Sequence, residues 1–408
     1  MRGKKILTYL GVVAVVATMF KMFYGFHPLL QGWFPAILWT VAYFYYHPRD
    51  LRQRGVICYI FFFLTSFFFF LLGSTCGRMD AASDFAYFLS YLLYPYIYFY
   101  FLVKYTSDKH KTVIVALLTL IVMYYAARTL MITRGDSLFI RRIINMDENM
   151  ALINAFRFQG LADYSLTHAM VYMVPAYVFL FKVTTRFWIK SVGFGLIVVA
   201  FLLIYLGGAS AALMMFFVAV LISFLINSRR TTKANFVIIG ISLSFMLFLI
   251  NKNFLLGLIS FARSLLPSGN AYWKKLDDFE NSLLFEQAEG DVGGRLTLYA
   301  NSWDTFIRNP LGTFDGSLVG GHMYFIDLLA SIGIFALLLF AFIGIVFYFT
   351  YKLMPIRSRP YYSLGFFLFV AMGCVKNMAG YDFFVVPFVY LPLTFMVCKS
   401  LGLMNRKS

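Results

Sequence analysis

Apolar residues in this chain come in long runs separated by short polar loops. Twelve runs lie near the roughly 20 residues that carry a helix across a bilayer. They cover 6–22, 29–46, 55–73, 85–103, 112–131, 165–181, 191–207, 209–226, 235–250, 323–350, 361–376 and 382–398. Two stretches depart from the pattern. Asn253–Leu266 is apolar but too short to span, and Pro267-Ser268-Gly269 breaks it, which predicts an interfacial helix. Further on, Gly293-Gly294 hands over to an amphipathic helix expected to begin at Arg295. Its positions Leu296, Tyr299, Ala300, Trp303, Phe306 and Ile307 keep the spacing of a helix with one face buried. Asn309-Pro310-Leu311-Gly312 stops that helix, and a Gly-containing loop leads to His322 at the mouth of a long apolar helix.

Charge gives these runs an orientation. The N-terminus carries Arg2, Lys4 and Lys5. The even-numbered loops carry Arg49, Arg52 and Arg54; Lys104, Lys109 and Lys111; Lys182, Arg186 and Lys190; Arg229, Arg230 and Lys233; then Lys352, Arg357 and Arg359. The C-terminus carries Lys399, Arg406 and Lys407. Among acids these segments hold only Asp50 and Asp108. Such alternation is the positive-inside rule, and it predicts cytoplasmic termini. The remaining charge falls in two long outer loops, 132–164 and 251–322, where function is expected to sit. The acidic segment Trp273–Glu289 is expected to cover the outer face.

Composition agrees and narrows the classes. The chain has 408 residues, 61% of them hydrophobic and 13% charged, with a mean hydropathy of +0.77. That excludes a soluble domain and predicts one all-α polytopic membrane domain over 1–408. The net charge of +17 is topology rather than a nucleic-acid patch. Four cysteines give neither an outer disulfide pair nor a CxxC metal spacing. Arg2–Phe20 resembles a signal peptide but has no A-x-A site, so an uncleaved first helix is expected. The middle of every span lacks Lys, Arg, Asp and Glu, which argues against ion-coupled transport. His168, one turn into the sixth span, fits a packing residue better than a ligand.

The sequence contains no Walker A, GxGxxG, HExxH or GxSxG motif, and its outer loops contain no Asp-x-Asp pair. The outer loops do offer cations near the membrane surface: Arg128, Arg134, Arg141-Arg142, Arg157, Arg295, Arg308 and His322. Guanidinium groups at that level suit a lipid-linked phosphate or pyrophosphate, because each can hold two phosphate oxygens. Phospholipid headgroup contact is the other reading, and it is preferred for Arg141-Arg142 and Arg308. Arg295, placed at a helix N-terminus, opposes the macrodipole unless an anion binds between it and the free N–H groups. Solvation, or pairing with Glu289 or Asp291, explains it equally, and the stretch alone favours that. His322 would sit near a helix N-terminus, which favours a neutral ring able to accept a hydroxyl proton or donate to a phosphate. A helix-entry residue bonded to backbone is the alternative. Asp327 falls on a different face and suits capping or orienting.

The order of these residues resembles the O-antigen polymerase and ligase superfamily. G-G-R-L…W…F-I-R-N-P-L-G…G-G-H-M-Y…L-L-A-S-I-G, over Gly293–Gly333, is similar to that family's signature. Arg157-Phe158-Gln159-Gly160, followed by a turn with Asp163 and Ser165, is similar to its R-x-x-G segment. Twelve spans with a dominant outer loop between spans nine and ten also match. The resemblance implies a GT-C-like, metal- and cofactor-independent glycosyltransferase acting on undecaprenyl-pyrophosphate-linked glycans at the outer face of a bacterial inner membrane. Arg157, Arg295 and His322 would be its catalytic residues, and Arg128, Arg134, Tyr324 and Asp327 its pyrophosphate- or glycan-binding ones. The expected partners are a lipid-linked donor and acceptor, a chain-length regulator, a flippase and membrane lipids. A Wzy-type polymerase making O-antigen or capsular polysaccharide is the implied activity. A ligase delivering glycan to lipid A–core is the nearest alternative, and a non-enzymatic flippase the next. The chain departs from the family at Met323, where Asn or Ser is expected, and at Gly207–Ala211, where ligases carry an Arg. It also lacks the Arg-x10-Gly pattern of some polymerases.

Overall fold

The computed structural model describes residues 2–20, 33–52, 94–133, 159–162, 164–184, 186–207, 209–227, 252–265, 290–313, 323–375 and 382–402, with scattered positions at 56–71, 139, 240 and 272–281. The described residues are 90% helical, and none lies in a strand. Four helices are long and apolar enough to cross a membrane: Asp108–Thr133, Leu166–Val183, Phe187–Leu206 and Tyr324–Leu353. Ile6–Val16, Ala211–Leu225 and Val386–Ser400 are shorter apolar helices. The span expected at 235–250 and most of that at 55–73 fall outside the described residues.

The chain begins with three mutually packed helices, α1 (Arg2–Phe20), α2 (Trp33–Tyr46) and α3 (Tyr94–Tyr105). Aromatic side chains with polar tips bind them. Trp39 stacks on Tyr43 and meets Tyr94, Tyr98 and Phe101 edge-on. Its Nε1 donates to Leu7 O at 2.7 Å, Tyr94 OH to Gly11 O at 2.7 Å, and Tyr98 OH to Thr8 O at 3.0 Å. A buried donor in an apolar setting must find an acceptor, and the second lone pair of the α1 carbonyls supplies it.

Next come α4 (Asp108–Thr133), α5 (Tyr164–Val183), α6 (Phe187–Leu206) and α7 (Ser210–Leu225). Helix α5 is the central post, buried along nearly its whole length and containing His168 at 5% exposure. Small residues let its neighbours approach closely: a Cβ on Gly365 would meet Tyr172 O at 3.0 Å, and one on Gly193 would meet Phe181 N at 2.9 Å. The turn at Gly207 packs on Thr167, so α6 ends where α5 begins.

Two amphipathic helices, α8 (Lys252–Ser264) and α9 (Gly290–Arg308), precede α10 (Tyr324–Ile332) and α11 (Ala336–Leu353), which form one rod interrupted at Gly333–Phe335. Then α12 (Arg359–Val375), α13 (Asp382–Val385), a π-helical turn (Val386–Tyr390) and α14 (Leu391–Ser400) complete the chain. Helix α9 corrects an expectation. It starts at Gly290, so Arg295 lies in its second turn and not at its N-terminus. Gly-Gly weakens a helix by about 1 kcal/mol per residue relative to Ala, and α9 nevertheless runs through both glycines.

Ring and hydrogen-bond contacts fix which helix ends lie together. Lys182 Nζ donates to Phe224 O and Ile226 O, both at 2.6 Å, and Tyr361 OH reaches Ile226 O at 3.2 Å. These groups mark one end, where basic loops meet. Phe369, two turns up α12 from Tyr361, meets Phe325 at the start of α10. The start of α10 therefore lies toward the opposite end, with the start of α5 and the end of α6.

Candidate functional site

That opposite end holds a unit built from α9, the Asn309–Gly312 turn and α10. Proline cannot continue the helix, and Gly312 takes φ +95°, so the turn closes with Gly312 N donating to Asn309 O at 2.8 Å. The turn then docks into the break between α10 and α11. Ile334 N, released from the helical ladder, donates to Pro310 O at 2.9 Å, and Thr313 N donates to Ala330 O at 3.4 Å. The break is thus a socket whose backbone groups find partners across 24 residues of chain. Gly333, at φ +64°, makes the approach feasible: a Cβ there would fall on Gly312 N, Leu311 C and Pro310 O.

One turn above the socket, Asp327 links the same two helices. Ser302 Oγ donates to Asp327 Oδ1 at 2.7 Å, and Met323 N donates to Asp327 Oδ2 at 2.8 Å. Asp327 N closes the turn on Met323 O at 2.7 Å. The carboxylate spends both oxygens on protein donors, one at the entrance of α10 and one on α9. It acts as a positioning group. Ser302 is fully buried at this joint. Tyr324 packs edge-on against Phe325 and Phe384.

The other long loop returns to the bundle on the end of α4. Arg128 Nε donates to Gln159 O at 3.1 Å, and Thr129 Oγ1 accepts from Ala162 N at 2.8 Å. Gly160, at φ +90°, lies against Tyr124 and the Arg128 stem. Since Ala162 leads directly into α5, Arg128 joins the end of the bundle that also holds the start of α10. The terminal guanidinium nitrogens of Arg128 have no protein partner among the described residues.

Part of the acidic segment of the large loop is described, and it pairs with α8; the face it covers lies outside the described residues. Asp277 and Glu280 both pair with Arg263 of α8, whose guanidinium also lies 5.5 Å from the Trp273 ring centre. Tyr272 OH bonds Tyr205 O at 2.6 Å, pinning the segment to the end of α6.

Of the residues singled out in the sequence, Arg128, Tyr324 and Asp327 are described in full, as is the exposed Arg308. Arg295 is described as a helical position without its side chain. Arg134, Arg141, Arg142, Arg157 and His322 lie outside the described residues. Sequence reasoning missed Ser302, Thr313 and the Gly312–Gly333 contact. Ser302 lies in a helix that also carries Thr297, Asn301 and Thr305, so nothing local marked it out.

Compared with protein-family models and with curated proteins, the chain matches none.

Proposed function

We propose that this protein is a membrane glycosyltransferase of the polysaccharide-polymerase type. It would join undecaprenyl-pyrophosphate-linked repeat units on the outer face of a bacterial inner membrane, with both termini in the cytoplasm and twelve spans. The observation that carries the reading is the α9–turn–α10 unit. Asp327 and the Gly312–Gly333 socket lock the helix that includes Arg295 to the entrance of the rod that follows His322 in sequence, at the end of the bundle where Arg128 anchors the other loop.

The chemistry follows from a pyrophosphate leaving group. The acceptor hydroxyl oxygen attacks the anomeric carbon of the donor's reducing-end sugar. The bond from that carbon to the pyrophosphate oxygen breaks, and His322 takes the hydroxyl proton or holds a phosphate. Arg157, Arg295 and Arg128 neutralise the charge that develops on the leaving group, a stabilisation exerted where charge grows rather than on the ground state. In this reading Arg295 acts through its guanidinium, since the free N–H groups of α9 lie at its first turn.

Purified protein in liposomes, given only undecaprenyl-pyrophosphate-linked repeat units, tests this. A ladder of product lengths is expected, and Arg295→Ala or His322→Ala should abolish it while the protein stays inserted. Normal-length polymer from either variant overturns the site. Transfer only after a lipid A–core acceptor is added replaces the polymerase with a ligase. No product with either acceptor overturns the enzyme.

A further inference from the structure

From Thr297 to Arg308 helix α9 presents three sides, and one of them is buried against α10. Ser302 is buried against α10, with Leu298, Tyr299, Thr305 and Phe306 half-buried around it. A second side, of Thr297, Asn301, Asp304 and Arg308, is polar and exposed. The third is apolar and also exposed: Ala300, Trp303 at 49%, Ile307 at 60% and, on the turn, Leu311 at 62%. The stripe expected from the sequence to be buried is therefore largely an open ridge.

Its height relative to a bilayer can be read from the rod beside it. Ser302 pairs with Asp327 and Pro310 with Ile334, so α9 and α10 run side by side in the same direction, toward the span. From Gly333 to Lys352 the rod rises about 29 Å, which matches a hydrocarbon core of about 30 Å. The Gly333 break then falls at the hydrocarbon edge opposite Lys352, and the turn docked there brings Leu311 to the same level. Trp303 stands about 12 Å further out. Below the break, Ile334, Leu337 and Leu338 are exposed apolar residues of the span, and the ridge continues that surface upward. Ile307, about 6 Å out, stands at headgroup height, and Arg308 beside it can reach headgroup phosphates.

We infer that the end of α9 and its turn are inserted into the leaflet opposite Lys352. Leu311 reaches the hydrocarbon edge, Ile307 lies in the headgroup layer about 6 Å further out, and Trp303 stands just beyond that layer. The occupant of the ridge is lipid. The helix thereby fixes the height of the α9–α10 unit above the membrane, a property independent of which reaction the unit performs.

The test uses the full chain with Cys58, Cys76, Cys374 and Cys398 replaced by Ala, and one cysteine introduced as Leu311→Cys, Ile307→Cys or Asn301→Cys. Each is labelled with an environment-sensitive fluorophore and placed in phosphatidylethanolamine–phosphatidylglycerol vesicles carrying nitroxide lipids. A nitroxide near the top of the acyl chain should quench the label at 311 most and at 307 next, several-fold more than at 301. Aqueous iodide should show the reverse order. Equal iodide quenching at all three positions overturns the inference. So does an intermolecular disulfide through Ile307→Cys without lipid quenching, which would give the ridge to a second copy. If a labelled variant fails to fold, Leu311→Trp in the otherwise native chain suffices: brominated lipid should quench the added tryptophan signal, and no added quenching overturns the inference.

Discussion

Asp50 and Asp327 are held at opposite ends of the bundle, in different ways. Asp50, at 3% exposure, takes Lys104 Nζ at 2.6 Å, Tyr105 OH at 2.6 Å and Tyr43 OH at 2.7 Å. Burial opposes its charge, but the hydrogen bonds from Lys104, Tyr105 and Tyr43 outweigh it and hold the carboxyl below the usual carboxylate range. Among the described residues, Asp327 takes a hydroxyl and a backbone N–H and meets no cation. The first cluster neutralises itself and ties α2, α3 and the 3-10 turn at Pro48–Arg52 into one piece. The second holds its carboxylate with two neutral donors and joins a loop helix to a span. One is a clamp. The other sets the relative height and angle of two elements that carry candidate chemistry.

Removing the carboxylate from the clamp should produce the largest effect on stability. Asp50→Ala strands a half-buried ammonium and two phenols, and breaking a buried pair in this way costs about 3–5 kcal/mol. A large drop in the melting temperature of the detergent-solubilised protein is expected, with little change in specific activity of the folded fraction. The sign with pH follows from the lowered carboxyl. Its contribution is complete above the unfolded value of about 3.9 and is lost as pH falls through the lower folded value. Wild type should thus lose stability below about pH 4, and Asp50→Asn should flatten that acid limb. An unchanged limb would remove Asp50 from the clamp.

Gly333→Ala should come next. An L residue at φ +64° costs about 1–3 kcal/mol, and its Cβ would also push the Pro310–Gly312 backbone out of its socket. Expected are a smaller loss of melting temperature than for Asp50→Ala and a complete loss of product in the liposome assay. Full activity from Gly333→Ala would show that the docked turn is not needed.

How much of this was visible beforehand depends on what each feature requires. Apolar runs and charge alternation are local, so the helical membrane architecture could be read directly. The Asn309–Gly312 turn and the break at Gly333 were each legible from proline and glycine. Their docking was not, because local pattern carries no information about a partner 20 residues away. The apolar stripe of α9 was legible as a stripe, but periodicity does not say whether protein or lipid covers it. Ser302 was passed over because a buried hydroxyl is explained only by the acid it meets, and Asp327 was read without it.

The smallest effects should separate positioning from packing. Asp327→Asn keeps the shape and weakens two charge-assisted bonds, each worth about 1.5–3 kcal/mol. Ser302→Ala removes one donor and leaves the carboxylate its backbone partner, at a cost of about 1 kcal/mol. Both variants should lower the melting temperature, but by less than Gly333→Ala, since each keeps the backbone of the joint unstrained. Both should slow polymer formation by about tenfold for each 1.4 kcal/mol transferred to the transition state, Asp327→Asn more than Ser302→Ala. Because the two side chains share one bond, the double variant should be no slower than Asp327→Asn alone. Additive losses would mean that Ser302 and Asp327 act separately, and the comparison between a clamp at one end and a positioning joint at the other would fail.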